Sequence, residues 1–197
     1  MAATTEQIKQ LREQTGAGVL EAKRVLDENK GDFDKALSIL KAKGMAAAEK
    51  KAERTAKDGV VETYVHAGGK IGVMVEVNCE TDFVARTPEF RELAHNVALQ
   101  VAAMNPKYVS PDDIPADVAA EQKKTFEDAT RAEGKPETIL PKIVQGKLDK
   151  FYKEVCLLRQ PFIMDESLTV GDLVKATIAK TGENIVIRRF ARYALGE

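Results

Sequence analysis

The hydrophobic period of this chain switches after its front block, and that switch limits what it can fold into. Up to about residue 43 apolar residues recur at helical spacing, whereas between Val61 and Cys79 they alternate with polar ones at a period of two. Helices followed by an alternating hairpin, and then by more helices, predict an α+β class with an antiparallel sheet.

The front block reads as three helices. Thr4 and Gln7 form a capping box, so the first helix begins near Thr5 with Ile8 and Leu11 on its inner face. Gly16 and Gly18 turn the chain, and Leu20, Val25 and Leu26 mark a second helix ending near Asn29. Asp32 caps a third, whose inner face is Phe33, Ala36, Leu37 and Leu40. The expected unit is a three-helix bundle laid out like ubiquitin-associated (UBA-like) modules. Residues 43–57 are rich in Ala and Lys, with Met45 the one large apolar side chain, and predict a solvated helical linker. The chain thus divides into 1–57, bundle plus linker, and 58–197, an α+β core.

In the core, Val61, Thr63 and Val65 face Ile71, Val73, Val75, Val77 and Cys79 across HAGGK. A two-residue loop at Gly68-Gly69 would put Val61 and Val65 on the face opposite Val73 and Val75; a three-residue loop would gather all four on one face and is the expectation. Thr87 and Pro88 open a helix that runs through Phe90, Leu93, Val97 and Val101 to Asn105. Residues 115–158 predict a long antiparallel helical hairpin joined at 133–136, with a seam through Leu140, Val144, Leu148 and Phe151. Thr169 opens a further helix, and Ile185, Ile187 and Phe190 predict a third strand that completes the sheet.

Several function classes are disfavoured. With 30 Lys+Arg against 31 Asp+Glu there is no basic excess for direct nucleic-acid binding. The apolar runs are too short for a membrane span and the start lacks a signal pattern, which predicts a cytoplasmic protein without membrane contact. Phosphate-loop, dinucleotide, HExxH and GxSxG motifs are missing, and no cofactor or metal is expected. Cys79 and Cys156 read as small buried residues; their possible base partners are His66 and His95. The strand reading separates Cys79 from His66, while Cys156 with His95 stays open as the centre of a small thiol enzyme.

After the second strand comes EVNCETDFVAR, Glu76 to Arg86, which sets Phe83 in a polar turn. Either Phe83 folds back as a lid and Asp82 caps a turn, or the two form an acidic and aromatic wedge aimed at a partner. Together with LREQTGAGVLEAKRVL (Leu11 to Leu26) and QPFIMDESLTVGDLV (Gln160 to Val174), this segment resembles the elongation factor Ts family, guanine-nucleotide exchange factors for elongation factor Tu. A three-helix front alone would equally suit a module binding a ubiquitin-like or nascent-chain partner.

The resemblance implies a translation elongation factor that binds elongation factor Tu carrying GDP, displaces Mg²⁺ and promotes GDP release without covalent chemistry. It implies that Thr81, Asp82, Phe83 and Val84 enter the GTPase near its Mg²⁺ site. It also implies that Arg12, Val19, Leu20 and Lys23 dock the front domain, and that His66, at the hairpin tip, is a further contact. Val19 and Leu20 stand where relatives often carry methionines. Longer family members hold two copies of the core and this chain one, which would leave its outer sheet or strand edge uncovered and implies a homodimer in place of the internal duplication.

Overall fold

The computed structural model describes residues 3–197. Three helices, α1 (Thr5–Thr15), α2 (Val19–Glu28) and α3 (Phe33–Glu49), pack around Leu11, Ala22, Val25, Leu26, Ala36 and Leu40. Their ends are fixed by local chemistry. The Thr4–Gln7 capping box starts α1, and the Asp32 carboxylate accepts from the Lys35 amide to start α3. Gly16 closes α1 at φ +70°, and a Cβ there would lie 2.6 Å from the Ala179 carbonyl oxygen, so the turn needs glycine for both backbone conformation and close approach to the core.

The stretch expected to be a solvated helical linker is neither separate nor solvated throughout. α3 continues to Glu49, Ala48 is buried in the main core, and the chain then turns rather than staying helical. The reason is size: Gly44 and Ala48 bury little area each but let α3 lie close to a helix of the core, where Glu49 pairs with Lys175 at 2.6 Å.

The core sheet has the order β1 (Asp58–Val65), β2 (Ile71–Cys79), β5 (Val186–Ala194), all antiparallel. Val73, Val75, Val77 and Cys79 face inward against Phe90, Leu93, Val97 and Val101 of α5 (Pro88–Met104) and Val170, Val174 and Ile178 of α8 (Val170–Thr181). Burial of each such side chain is worth about 1.5–3 kcal/mol, which makes this layer the main source of stability. A bulge at Glu76/Val77 leaves Arg188 unmatched between Arg189 and Ile187.

The hairpin register corrects the expectation. Val61 lies opposite Glu76 and Val65 opposite Gly72, so odd positions pair with even ones and Val61 and Val65 sit on the outer face, away from Val73 and Val75. The loop is residues 67–70: the His66 amide donates to Ile71 and the Gly69 amide to His66, with Gly68 and Gly69 at positive φ. The inward residues of β1 are Val60, Glu62 and Tyr64.

α6 (Ala116–Ala132) and α7 (Leu140–Val155) pack along Leu140, Val144 and Leu148, with Phe126 and Tyr152 beside them. Phe126 meets Phe151 and Glu133 meets Lys147, so the two helices run in opposite senses. A four-residue helix, α4 (Asp82–Ala85), and a two-stranded ribbon of β3 (Pro161–Phe162) and β4 (Asp165–Thr169) complete the named elements.

One buried polar cluster ties this ribbon to α5. The fully buried Gln100 donates to Gln160 (3.1 Å) and to the Pro161 carbonyl (3.0 Å), and accepts from the Ile163 amide (2.9 Å). Gln100→Leu keeps the bulk but strands these partners, at about 1–3 kcal/mol for each group left unsatisfied. We expect a loss of about 2–4 kcal/mol in urea denaturation at an unchanged slope.

Candidate functional site

The chain leaves the sheet after Cys79 and presents its most exposed aromatic ring within four residues. Thr81 caps α4, its hydroxyl oxygen accepting from the Val84 amide at 3.4 Å. Phe83 is 77% exposed, which excludes its folding back as a lid over the sheet. Asp82 is exposed too, and its carboxylate accepts from the Arg86 guanidinium at 2.7 Å. Val84 differs from its neighbours, being buried in the core. Its side chain anchors the turn from the core side, so of the four residues Thr81 to Val84 it is Thr81, Asp82 and Phe83 that are exposed.

Beneath the turn the Cys79 thiol donates to the Thr81 carbonyl at 3.1 Å. Burial, helped by the nearby Glu183 charge, pushes this thiol up to about 11, and burial also pushes Cys156 up to about 11. Both cysteines are free and buried, a setting that suppresses the thiolate needed for nucleophilic chemistry. His95, the other half of the open enzyme reading, turns instead to Glu62 (3.3 Å) and the edge of Tyr64. Among the described residues no group of His, Cys, Asp or Glu is placed to hold a metal ion, and no helix is long and apolar enough to cross a membrane.

The front bundle shares a groove with this turn. Arg12, Glu13 and Gly16 of the front meet Phe83, Val84, Thr87 and Glu89 of the core around a cleft of about 330 Å³ that Lys180 and Thr181 also line. Leu20 (83% exposed), Val19 (49%) and Lys23 stand on α2, where the glycine turn leaves the start of the helix uncovered. The fold therefore brings Arg12 to Phe83 and sets the exposed apolar start of α2 on the neighbouring helix.

His66 belongs elsewhere. It pairs with Ile71 at the base of the turn, not at its tip, and its Nδ1 lies 3.0 Å from the Tyr64 hydroxyl. β2 spans Ile71–Cys79, so His66 is separated from the Thr81 turn by roughly 26 Å of strand at about 3.3 Å per residue.

One side chain in the turn escapes sequence reasoning. The Glu183 carboxylate accepts from the Glu80 amide (3.1 Å), the Thr81 amide (3.0 Å) and the Thr81 hydroxyl (2.7 Å). A lone Glu after the Thr181-Gly182 helix stop carries no local signal, since its partners lie about a hundred residues earlier in the chain.

The chain is similar to known proteins over nearly its whole length. Residues 45–197 match the family model described as Elongation factor TS. Curated proteins named Elongation factor Ts include one from Carboxydothermus hydrogenoformans, 53% identical over 98% of this chain and 89% of its own length. A second, from Caldanaerobacter subterraneus subsp. tengcongensis, is 54% identical over 98% and 97%, and a third, from Syntrophus aciditrophicus, 50% identical over 100% and 98%. A family model matched over most of the chain and identity of 50–54% over nearly all of it lead to one conclusion: the chain belongs to the elongation factor Ts family.

Proposed function

We propose that this protein acts in translation elongation as a guanine-nucleotide exchange factor: it binds elongation factor Tu carrying GDP, dislodges the bound Mg²⁺ and speeds GDP release so that GTP can rebind. The observation that supports this reading best is the exposure of Phe83 beside the exposed side chain of Asp82, on a turn anchored from below by Val84. Bound Mg²⁺ bridges nucleotide phosphates in a GTPase, so an acid and a ring pushed into its surroundings weaken the hold on the diphosphate. Burying the ring in the partner supplies about 1.5–3 kcal/mol toward that distortion. Arg12, Val19, Leu20 and Lys23 dock the front domain on the same partner, and His66 adds a distant second contact.

No bond is made or broken, and the coupling is reciprocal: whatever factor this protein takes from GDP affinity, GDP takes from its own. In this reading residues 1–57 form a UBA-like docking unit and 58–197 the working core with its helical hairpin at about 115–158, acting in the cytoplasm without nucleic acid or membrane. Two copies pair through the outer face of the sheet, where Val61, Val65, Met74 and Tyr193 are exposed. On that face Glu76 and Arg189 are bonded at 2.7 Å, and the guanidinium holds the carboxyl below the usual carboxylate range. Mixing the protein with Tu loaded with a fluorescent GDP analogue and timing its loss tests the reading; an unaccelerated loss rejects it.

A further inference from the structure

We propose that Glu183 is a positioning residue, which holds the Thr81 turn in the one geometry that presents Asp82 and Phe83 outward; the inference rests on the exchange reading above and adds to it the residue that pre-organises the wedge. Past Cys79 the backbone is no longer held by the β1–β2 ladder, and a turn released from a sheet is mobile unless something else satisfies its amides. Glu183 satisfies two of them in succession, those of Glu80 and Thr81, through one carboxylate oxygen.

The second oxygen fixes the cap. A hydroxyl has one proton to donate and lone pairs to accept with. The Thr81 proton is taken by Glu183 at 2.7 Å, which leaves its oxygen to accept from the Val84 amide and start α4. Without Glu183 the hydroxyl is free to rotate away from the cap. The lacing is mutual, because the Glu80 carboxylate accepts from the Asn184 amide at 2.7 Å, and Asn184 is itself tied to the Arg54 carbonyl at 2.7 Å. None of these bonds involves Phe83, whose exposed ring stays free to meet a partner.

The test uses the full chain with Glu183→Ala and Glu183→Gln, the latter keeping the bulk and one acceptor oxygen. In the isolated protein, amide hydrogen exchange of peptides covering 78–86 should accelerate about tenfold or more in Glu183→Ala, with Glu183→Gln between it and the parent, because bonds to a charged acceptor are lost. With GDP-loaded Tu, the maximal release rate should fall about fivefold or more while the half-saturating concentration moves less than about twofold, since the front domain still docks. In a Phe83→Ala background, Glu183→Ala should cost less than about a further twofold, because both act through the same ring. Unchanged hydrogen exchange at 78–86, or an equal cost of Glu183→Ala with and without Phe83, overturns the proposal. Should Phe83→Ala alone leave release unaffected, the exchange reading fails, and hydrogen exchange still decides whether Glu183 holds the turn.

Discussion

Phe83→Ala should slow stimulated GDP release from elongation factor Tu by about ten- to a hundredfold, because losing about 1.5–3 kcal/mol of ring burial in the partner translates at about 1.4 kcal/mol per decade. The substitution should leave the isolated protein intact. The ring is 77% exposed and belongs to no buried cluster, so its removal opens no cavity, and far-ultraviolet circular dichroism and thermal midpoint should match the parent. Val84→Ala is the contrasting change: that side chain is buried one residue away, and its truncation should lower stability. The pair separates presentation of the wedge from support of the turn. A Phe83→Ala protein that releases GDP at the parental rate would leave the exposed ring without a role.

If two copies pair through the outer face of the sheet as proposed, Met74→Lys should convert that dimer into a monomer. Met74 lies at the middle of β2 on the outer face, between Thr63 and Ala191, with Val61, Val65 and Tyr193 exposed around it. In a two-fold interface each substitution acts twice, once from each copy. Loss of two buried methionines at about 1.5–3 kcal/mol each raises the dissociation constant about a hundredfold or more, and two uncompensated ammonium groups raise it further. Sedimentation velocity at micromolar concentration reads the result: the parent at twice 21.6 kDa and the variant at 21.6 kDa. A parent that sediments at 21.6 kDa contradicts the pairing.

The parts of the fold that sequence reveals are those decided by neighbours in the chain. Caps at Thr4, Asp32, Thr87 and Thr169 fall where local chemistry puts them, because each side chain bonds an amide within three residues. The hairpin register does not fall that way. Val61 and Val65 carry a period-two pattern as strong as that of Val73 and Val75, and a period of two cannot say which face is inside. Their placement on the outer face shows that the pattern in β1 recorded a second apolar surface, not the core. Residues 43–57 hide their contact for a related reason: hydrophobic bulk signals burial, whereas α3 touches the core here through smallness, at Gly44 and the buried Ala48.

The candidate site divides along the same line. Asp82 and Phe83 stood out because an aromatic in a polar turn has no structural reason to be there. Glu183 was invisible, since a contact across about a hundred residues leaves no mark on spacing. Resemblance alone points to Arg12, because its place beside Phe83 in one cleft depends on α1 packing against α8 at Gly16.

An exposed acid and ring that loosen a metal ion held by another protein should act only while that ion is bound, so the effect depends on Mg²⁺. Release of a fluorescent GDP analogue from elongation factor Tu should be timed with and without this protein, at millimolar Mg²⁺ and again after chelation by EDTA. If the wedge acts by displacing Mg²⁺, the acceleration is large with the ion present and collapses once the chelator has already removed it. The same acceleration in both conditions would mean that the wedge does not act on the metal ion.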